Sequence, residues 1–340
     1  MTSIGIIGGG NISDTHARSA LQLDGVSISA FFGQNKEKTA HLAQQYGGKA
    51  YTDFPSFLKH KPMELVIVGS PSALHAEQGI AAARHGLHVL TEKPLDVTTK
   101  RSDDLIAACN QAGVKLGVIF QDRVAPDILR LKEFVDSGRL GKPILISGRV
   151  KWYRPPEYYS DSRWRGRLAL DGGGALMNQG VHTVDLLLWL MGDVKRVYAK
   201  ATTSLHSIEA EDTVVATLEF ANGALGTLEA ATSVYPGYRR RIELTGTEGT
   251  VILEQDRIIA ADLRTPAPGL VGDTPQNTNA SASSPVVSDV TGHKKILEDF
   301  LRSTRTNDSP LCTGEEGKRS VQFVQAVYES SRIGQPVVLI

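Results

Sequence analysis

Short apolar runs alternate with longer segments of helical periodicity over the first 120 residues of the chain. The runs have the length of buried strands and cover residues 4–7, 26–32, 65–68, 88–90 and 115–119. The segments between them, such as residues 36–46, 76–85 and 101–112, have the length and apolar spacing of crossover helices. Short buried strands separated by helices predict an α/β Rossmann fold with a doubly wound parallel sheet.

The pattern changes after residue 121. A helix is predicted for residues 126–136, and from residue 144 onward apolar positions alternate with polar ones. Asn222 and Gly223 are typical hairpin-turn residues between two such runs. The alternating runs include residues 213–220, 224–231, 239–245 and 250–254. They predict an α+β domain with a largely antiparallel, open-faced sheet that helices cover on one side.

The length of 340 residues exceeds what one hydrophobic core usually organises, so two domains are expected. We place the Rossmann domain at residues 1–122 and a C-terminal α/β domain at residues 123–340. Residues 262–290 are rich in Pro, Ser, Thr, Asn and Gly and predict a long exposed loop, after which helical patterns resume at His293.

Composition excludes several classes of partner. Lys plus Arg and Asp plus Glu number 37 each, so no long-range field attracts nucleic acid or an anionic membrane. The only cysteines, Cys109 and Cys312, lie far apart in the sequence and are expected to be structural. The sequence shows neither a basic leader nor a run of about 18 apolar residues, so we expect a cytoplasmic protein. No metal is expected, because His, Cys and carboxylates are not spaced as ligands.

A glycine-rich turn lies between the first predicted strand and the first helix. Gly8, Gly10 and Ser13 occupy the glycine positions of a GxGxxG fingerprint, with a small serine at the third. Such a turn lets the backbone approach a dinucleotide pyrophosphate, whose charge meets the helix start at Asn11 and Ile12. A glycine turn that binds no nucleotide is the alternative.

The second strand ends at Gly33, where an acidic residue normally binds the adenosine ribose. Without a carboxylate there, Lys36 or Lys38 could neutralise a 2′-phosphate, which slightly favours NADP over NAD. The alternative is that both lysines belong to a solvated helix start.

The segment Asp171 to Asp185, DGGGALMNQGVHTVD, places a glycine-dense turn before a predicted amphipathic helix. At 3.6 residues per turn, Asn178, His182 and Asp185 share one face of that helix. A polar stripe followed by the apolar run 186–191 is unusual for a structural helix and indicates a functional one.

The chain resembles the Gfo/Idh/MocA family of nicotinamide-dependent oxidoreductases over nearly its whole length. The motifs are GIIGGGNIS at residues 5–13, SPSALHAE at 70–77, EKP at 92–94 and GGGALMNQGVHTVD at 172–185. The resemblance implies that Lys93 and His182 flank the substrate carbon beside the nicotinamide, and that the bond before Pro94 is cis. WYRPPEYY at 152–159 and SRWRG at 162–166 are most similar to the branch with UDP-N-acetyl-sugar uronate 3-dehydrogenases.

The family commonly has an aspartate where this chain has Asn178. An amide cannot take up a proton, but it can still orient a substrate hydroxyl. Oxidation of a secondary alcohol needs a base and a positive group beside the developing alkoxide, and His182 and Lys93 suit these roles in either assignment. Asp185 could orient the ring of His182 or hold the helix to a neighbouring loop.

Further residues are expected around the two ligands. Cofactor contacts are expected from Ser70, Pro71, His75, Glu92, Lys93, Gln121, Trp164 and Arg165, and substrate contacts from Arg123, Tyr153, Asn178 and Asp185. A set of aromatic and basic residues could bind a sugar or a phosphate, or could form a contact between subunits. These residues are Tyr158, Tyr159, Arg163 and Arg167.

Together these features indicate an NAD(P)-dependent oxidoreductase that acts on a secondary hydroxyl or ketone of a sugar, nucleotide sugar or cyclitol. The C-terminal domain would hold the substrate and form a homodimer or homotetramer through its broad open sheet face. The alternatives are an NAD-dependent glycoside hydrolase that oxidises its substrate transiently and a non-catalytic nucleotide-sensing regulator.

Overall fold

A computed structural model describes residues 1–272 and 289–340 of the chain. They form two compact units. The first contains Met1–Gln121 together with the described residues from 289 to Lys318, and the second contains residues 122–272 and Arg319–Ile340. The first unit therefore includes a late segment that the sequence pattern placed in the C-terminal domain.

The first unit contains one six-stranded sheet in the order β3-β2-β1-β4-β5-β6, and all neighbouring strands are parallel. Its strands are β1 Thr2–Ile7, β2 Val26–Phe32, β3 Lys49–Tyr51, β4 Leu65–Val68, β5 His88–Glu92 and β6 Leu116–Ile119. Its first helices are α1 Asn11–Ala20, α2 Lys36–Tyr46, α3 Phe54–Leu58, α4 His75–Arg84 and α5 Thr99–Ala112. The predicted doubly wound parallel sheet is confirmed.

The central strands of this sheet are buried on both faces. Every residue of β4 is buried, as is every residue of β1 after Thr2. Helices on both sides of a parallel sheet explain why these strands are continuous apolar runs rather than alternating ones. Strand β3 was not predicted, because three residues are too few to show a period.

The second unit contains an eight-stranded sheet in the order β13-β12-β11-β7-β10-β9-β8-β14. The pair β7 and β10 is parallel and the other pairs are antiparallel. The strands are β7 Pro143–Lys151, β8 Val194–Thr202, β9 Thr213–Phe220, β10 Leu225–Ala231, β11 Arg241–Gly246, β12 Gly249–Glu254, β13 Arg257–Leu263 and β14 Val337–Val338. The predicted hairpin of β9 and β10 is confirmed.

One face of this sheet is covered by helices and the other is open. The helices before β8 are α6 Pro126–Asp136, α7 Glu157–Ser160, α8 Leu168–Asp171 and α9 Val181–Met191. Ile128 of α6 and Leu187 of α9 join Leu228 and Leu244 of the sheet in one buried core. On the opposite face Val215 and Leu225 are exposed, which matches the predicted open-faced sheet.

Two long helices follow the undescribed residues: α10 Thr291–Thr306 and α11 Gly314–Ile333. Helix α10 packs against α1, β5 and β6, so it belongs to the first unit. The expected loop at 262–290 begins two residues later than predicted, because β13 continues to Leu263. Helix α10 starts two residues before the predicted His293, and residues 273–288 of the expected loop lie outside the described part of the chain.

Both cysteines are buried thiols in the first unit. Within the described ranges no helix is both long enough and apolar enough to span a membrane.

Candidate active site

The turn between β1 and α1 has the geometry that a dinucleotide pyrophosphate requires. Gly8 has φ +134°, and a Cβ there would lie 2.6 Å from the carbonyl oxygen of Gly69, so only glycine fits. Gly10 is exposed, and no atom lies within 4 Å of the place its Cβ would take. Helix α1 starts at Asn11 with no side-chain cap at Gly10, so its first backbone N–H groups remain for a ligand. The residues present therefore fit the cofactor phosphates.

The end of β2 has no acidic side chain at Gly33. A Cβ at Gly33 would lie 2.5 Å from Oγ1 of Thr39, so this position is closed to a larger residue. Asn35 caps α2 by accepting a hydrogen bond of 2.9 Å from the backbone N of Lys38. Lys36 and Lys38 are exposed at this helix start. Glu37 lies between these two lysines in the first turn of α2, and this set of charges is compatible with either interpretation of the lysines.

His75 joins the loop after β4 to the loop after β5. In the buried ring, Nδ1 lies 2.8 Å from the carbonyl oxygen of Pro94 and Nε2 lies 2.9 Å from that of Ser70, and a neutral ring donates to one of these two acceptors. Burial lowers the pKa of His75, and the two carbonyl contacts partly offset this effect. The peptide bond between Lys93 and Pro94 is cis, as the resemblance implied. His75 thus fixes the loop that presents Lys93, rather than exposing its ring to a groove.

Glu92 is a buried anion next to the half-buried Lys93. Its Oε1 lies 3.1 Å from Nε2 of His16 and 3.7 Å from Nε2 of His293. Burial alone would raise the pKa of Glu92, but the hydrogen bond and charge of His16, with the charges of His293 and Lys93, lower it to about 2. The structure therefore commits this carboxylate to histidines of the protein, where we had expected a cofactor contact.

The glycine-dense turn at 172–174 is required by close contacts within the second unit. Gly172 has φ +77°, in the left-handed region. A Cβ at Gly173 would overlap the hydroxyl of Tyr328, and one at Gly174 would overlap the carbonyl oxygen of Glu211. The Glu211 carboxylate accepts hydrogen bonds from the backbone N of Gly174 and of Leu176 at 2.9 and 2.8 Å. These contacts hold the start of the segment that leads to the predicted polar stripe.

The helix carrying the stripe differs from the prediction. Ala175–Gly180 is π-helical, and the α-helix proper is α9. All residues of α9 except Trp189 are buried, so the helix is not amphipathic. The polar side chains are accommodated by partners inside the unit and not by an open face. Asn178 shows this: its Nδ2 donates to Oδ1 of Asp171 at 2.8 Å.

His182 faces a carboxylate that sequence reasoning missed. It is 9% exposed, and its Nδ1 lies 3.7 Å from Oδ2 of Asp122. Asp122 lies in a short 3-10 turn, Gln121–Val124, and also accepts a hydrogen bond from Arg240, which in turn binds Asp256. The signal that could have found Asp122 is its position between Gln121 and Arg123, both of which we had singled out after the last Rossmann strand.

Arg123 and Asp185, both expected to contact the substrate, bind each other. Each is 1% exposed, and the guanidinium binds the carboxylate at 2.8 Å and 2.6 Å. Such a bidentate pair fixes the orientation of both groups. Of the two roles considered for Asp185, the structure shows the second, since it holds α9 to a neighbouring turn.

The expected aromatic and basic residues form a cluster near Asn178. The guanidinium carbon of Arg165 lies 4.3 Å from the ring centre of Tyr158 and 5.3 Å from that of Trp164. The hydroxyl of Tyr158 accepts a hydrogen bond of 2.8 Å from Nε2 of Gln179. Tyr159 packs edge-on against Tyr158, with ring centres 5.0 Å apart, and its hydroxyl bonds to Thr232. Tyr153 packs on Tyr235, and Arg163 and Arg167 are exposed.

Comparison with known proteins decides the family. Residues 2–120 match the model of the oxidoreductase family with an NAD-binding Rossmann fold, and residues 128–252 match the GFO/IDH/MocA C-terminal domain. This chain belongs to the GFO/IDH/MocA family. The predicted resemblance is thereby confirmed.

Individual members of the GFO/IDH/MocA family are similar to this chain over nearly its full length. The crystal structure of the WlbA dehydrogenase from Bordetella pertussis, in complex with NADH and UDP-GlcNAcA, has a TM-score of 0.91 and 31% identity, covering 100% of this chain and 98% of that one. Myo-inositol 2-dehydrogenase from Thermotoga maritima is 26% identical over 96% of this chain and 95% of its own length. D-xylose 1-dehydrogenase (NADP(+)) 2 from Haloferax volcanii is 27% identical, covering 98% and 99%.

Metal ligands are absent from the part of the family fold that the structure describes. No group of three His, Cys, Asp or Glu side chains in residues 1–272 and 289–340 is arranged to hold a metal ion. His16 and His293 contact the Glu92 carboxylate.

Proposed function

We propose that this chain is a dehydrogenase that moves a hydride between NAD(P) and a secondary hydroxyl or ketone of a carbohydrate. The observation that carries the proposal is the position of His182, whose Nδ1 lies 3.7 Å from a carboxylate oxygen of Asp122. Asn178 precedes His182 by four residues and supplies a side-chain amide. The chain places this pair in the second unit, while the first unit supplies the glycine turn and Lys93. Base, cation and dinucleotide turn are the parts that alcohol oxidation needs.

His182 is proposed as the base. With Nδ1 toward Asp122, the neutral ring carries its proton on that nitrogen, and Nε2 is the nitrogen that takes the hydroxyl proton. The bound nicotinamide supplies the acceptor for the hydride of the carbinol carbon. As the proton leaves, negative charge develops on the substrate oxygen and requires a positive partner.

Lys93 is proposed as that partner. Glu92 stays ionised at neutral pH beside it, since the pKa of this carboxyl is held at about 2. A fixed anion next to Lys93 suits an ammonium that binds the alkoxide better than an amine that removes a proton. His75 supports this role, because it fixes the carbonyl oxygen of Pro94, the residue after Lys93.

Asn178 is proposed to orient the substrate. Its Nδ2 is bound to Asp171, and its Oδ1 accepts a hydrogen bond of 3.0 Å from Nε2 of Gln179. These contacts fix the plane of the amide, which can then direct a neighbouring sugar hydroxyl.

Carbohydrates are proposed as the substrate class. The WlbA dehydrogenase binds UDP-GlcNAcA, and another relative is named for myo-inositol. Tyr158 and Arg165 next to Gln179 provide a ring face and a guanidinium, which suit a sugar that bears an anionic group. For the cofactor, exposed Lys36 and Lys38 favour NADP, whereas the WlbA complex holds NADH.

Self-association is proposed through the open sheet face. Leu145 on β7, Val215 on β9, Leu225 on β10 and Tyr198 on β8 are exposed large side chains of one sheet. A contiguous face of this kind is typical of an interface between subunits, so a homodimer or homotetramer is expected.

The proposal is tested by incubating the purified protein with NAD⁺ or NADP⁺ and a panel of free sugars, inositols, glycosides and UDP-sugars. Accumulation of reduced nicotinamide, in equal amount with the keto product, is the expected result. Release of an aglycone without net reduction would instead show the glycoside hydrolase. Cofactor binding without either reaction across the panel would contradict the proposal and favour the nucleotide sensor.

A further inference from the structure

We propose that Asp122 is a positioning residue for His182 and supplies the carboxylate that Asn178 does not. This inference rests on the proposed function of His182 as the base. The side chain of His182 is 11% exposed and that of Asp122 is 16% exposed. Nδ1 of His182 lies 3.7 Å from Oδ2 of Asp122. That distance is longer than a hydrogen bond and within the range of an ion pair, and contacts of this kind tighten when a ligand binds.

The turn that carries Asp122 is fixed against α9. Asp122 and Arg123 are consecutive in the turn Gln121–Val124, and His182 and Asp185 lie one helical turn apart. Arg123 binds Asp185 through two hydrogen bonds at the same time as Asp122 faces His182. Because the first contact fixes the turn against the helix, the second has little freedom to drift.

The far side of Asp122 is held by a buried cation. Arg240 is 3% exposed and binds both Asp122 and Asp256. Burial alone would lower the pKa of Arg240, but the two carboxylates raise it above its usual range. The carboxylate that faces His182 is therefore also bound by a buried guanidinium.

Other charged side chains near α9 have their own partners. On the packed elements β7 and α6 the pairs are Arg149 with Glu243, Lys151 with Glu229, Lys132 with Asp136, and Asp127 with Arg130 and Arg257, and Glu133 is exposed. Asp122 faces the His182 ring, Arg240 binds Asp122, and the pair of Arg123 and Asp185 lies one turn further along α9.

The arrangement determines where the proton of the substrate hydroxyl goes. During oxidation the substrate O–H bond breaks and its proton goes to Nε2 of His182, while the electron pair of the C–H bond leaves as hydride to the oxidised nicotinamide. Asp122 takes up no proton. It stabilises the imidazolium that forms and holds the tautomer in which Nε2 is the acceptor. The proton then passes from His182 to solvent.

The test compares Asp122→Asn with wild type by NMR titration of histidine-labelled protein without substrate. A neighbouring anion raises the pKa of an imidazole, so the His182 midpoint should fall by about one pH unit in Asp122→Asn. Asp122→Glu, which keeps the charge, should restore most of the midpoint. Glu229→Gln, which removes an exposed carboxylate of the same unit, is the matched control and should leave the midpoint unchanged.

A kinetic arm uses any sugar that the wild type oxidises. The variant Asp122→Asn should lose kcat by about 10-fold to 100-fold with little change in KM, and the acid limb of its pH profile should move to lower pH. An unchanged His182 midpoint in Asp122→Asn would overturn the positioning role, even if oxidation proceeds. The NMR titration needs no turnover, so it tests the role of Asp122 even if the protein oxidises no sugar. Failure to oxidise any sugar would count against the proposed function and not against the contact between Asp122 and His182.

Discussion

Arg123 binds Asp185 through two parallel hydrogen bonds, 2.8 Å from Nε to Oδ2 and 2.6 Å from Nη2 to Oδ1. The residues are separated by 62 positions in the chain, and both side chains are almost fully buried. This pair fastens the turn that carries Asp122 to the helix that carries His182.

Replacing one partner of this pair should destabilise the second unit strongly. Asp185→Ala leaves a buried guanidinium without its carboxylate, which typically costs about 3–5 kcal/mol in the free energy of unfolding. Urea denaturation followed by far-UV circular dichroism measures the loss. Asp136→Ala is the matched control, because it breaks the more exposed Lys132 pair and should cost less than about 1 kcal/mol. Equal losses in the two variants would refute the structural role of the buried pair.

Gly10→Ala should weaken dinucleotide binding without affecting folding. No protein atom would contact the new methyl group, and Gly10 has an extended backbone that alanine accepts, with φ −103° and ψ −174°. The methyl would project into the space proposed for the pyrophosphate, so we expect the Kd for NAD(P)H to rise by about 10-fold or more.

Gly9→Ala is the control for this prediction. Its added Cβ would make an ordinary contact of 3.6 Å with Oγ1 of Thr39, and the fingerprint leaves this position variable. Fluorescence titration with reduced cofactor gives the Kd of each variant, and thermal unfolding reports folding. A Gly10→Ala protein that binds NAD(P)H as tightly as Gly9→Ala would place the pyrophosphate elsewhere.

The cofactor preference should depend on the start of α2. If Lys36 and Lys38 neutralise a 2′-phosphate, the double substitution to alanine should raise the Kd for NADPH by about 10-fold and leave that for NADH unchanged. High salt should weaken NADPH binding in the same selective way, because both lysines are exposed. Parallel changes for both cofactors would show that these lysines belong only to a solvated helix start.

The buried carboxyl of Glu211 should make stability depend on pH. Burial raises its pKa from 4.5 to about 7, against the pull of hydrogen bonds from Leu176, Tyr328 and Gly174. The folded state therefore holds a proton that the unfolded state releases, so this stabilisation is complete below pH 4.5 and is lost as pH rises through about 7. The difference between the two pKa values corresponds to about 3 kcal/mol at most.

Glu211→Gln isolates this effect, since the amide does not titrate. Subtracting its free energy of unfolding from that of the wild type at each pH should give a curve that falls between pH 4.5 and about 7. A flat difference curve would contradict the raised pKa of Glu211.

Sequence periodicity predicted those elements whose burial is regular. Residues 65–68 are a continuous apolar run because both faces of the sheet are covered, and residues 213–220 alternate because one face is open. The glycine turn at residue 8 was equally clear, since a positive φ and a close backbone contact leave glycine as the only choice.

Partners brought together by long-range folding could not be predicted in this way. The stripe argument assumed 3.6 residues per turn throughout, whereas residues 175–180 are π-helical, and His182 and Asp185 are buried while Asn178 is half-buried. Asp122 and Arg240 are 118 positions apart, and no local pattern links them. Helix α10 joins the first unit through contacts with strands about 200 positions earlier in the sequence, which composition does not reveal.

The most direct test of the proposed chemistry is turnover by His182→Ala with a sugar that the wild type oxidises. NAD(P)H should bind this variant with unchanged Kd, while kcat falls by about two to four orders of magnitude, because the base is lost and the cofactor turn is intact. Turnover equal to that of the wild type would contradict the assignment of His182 as the base.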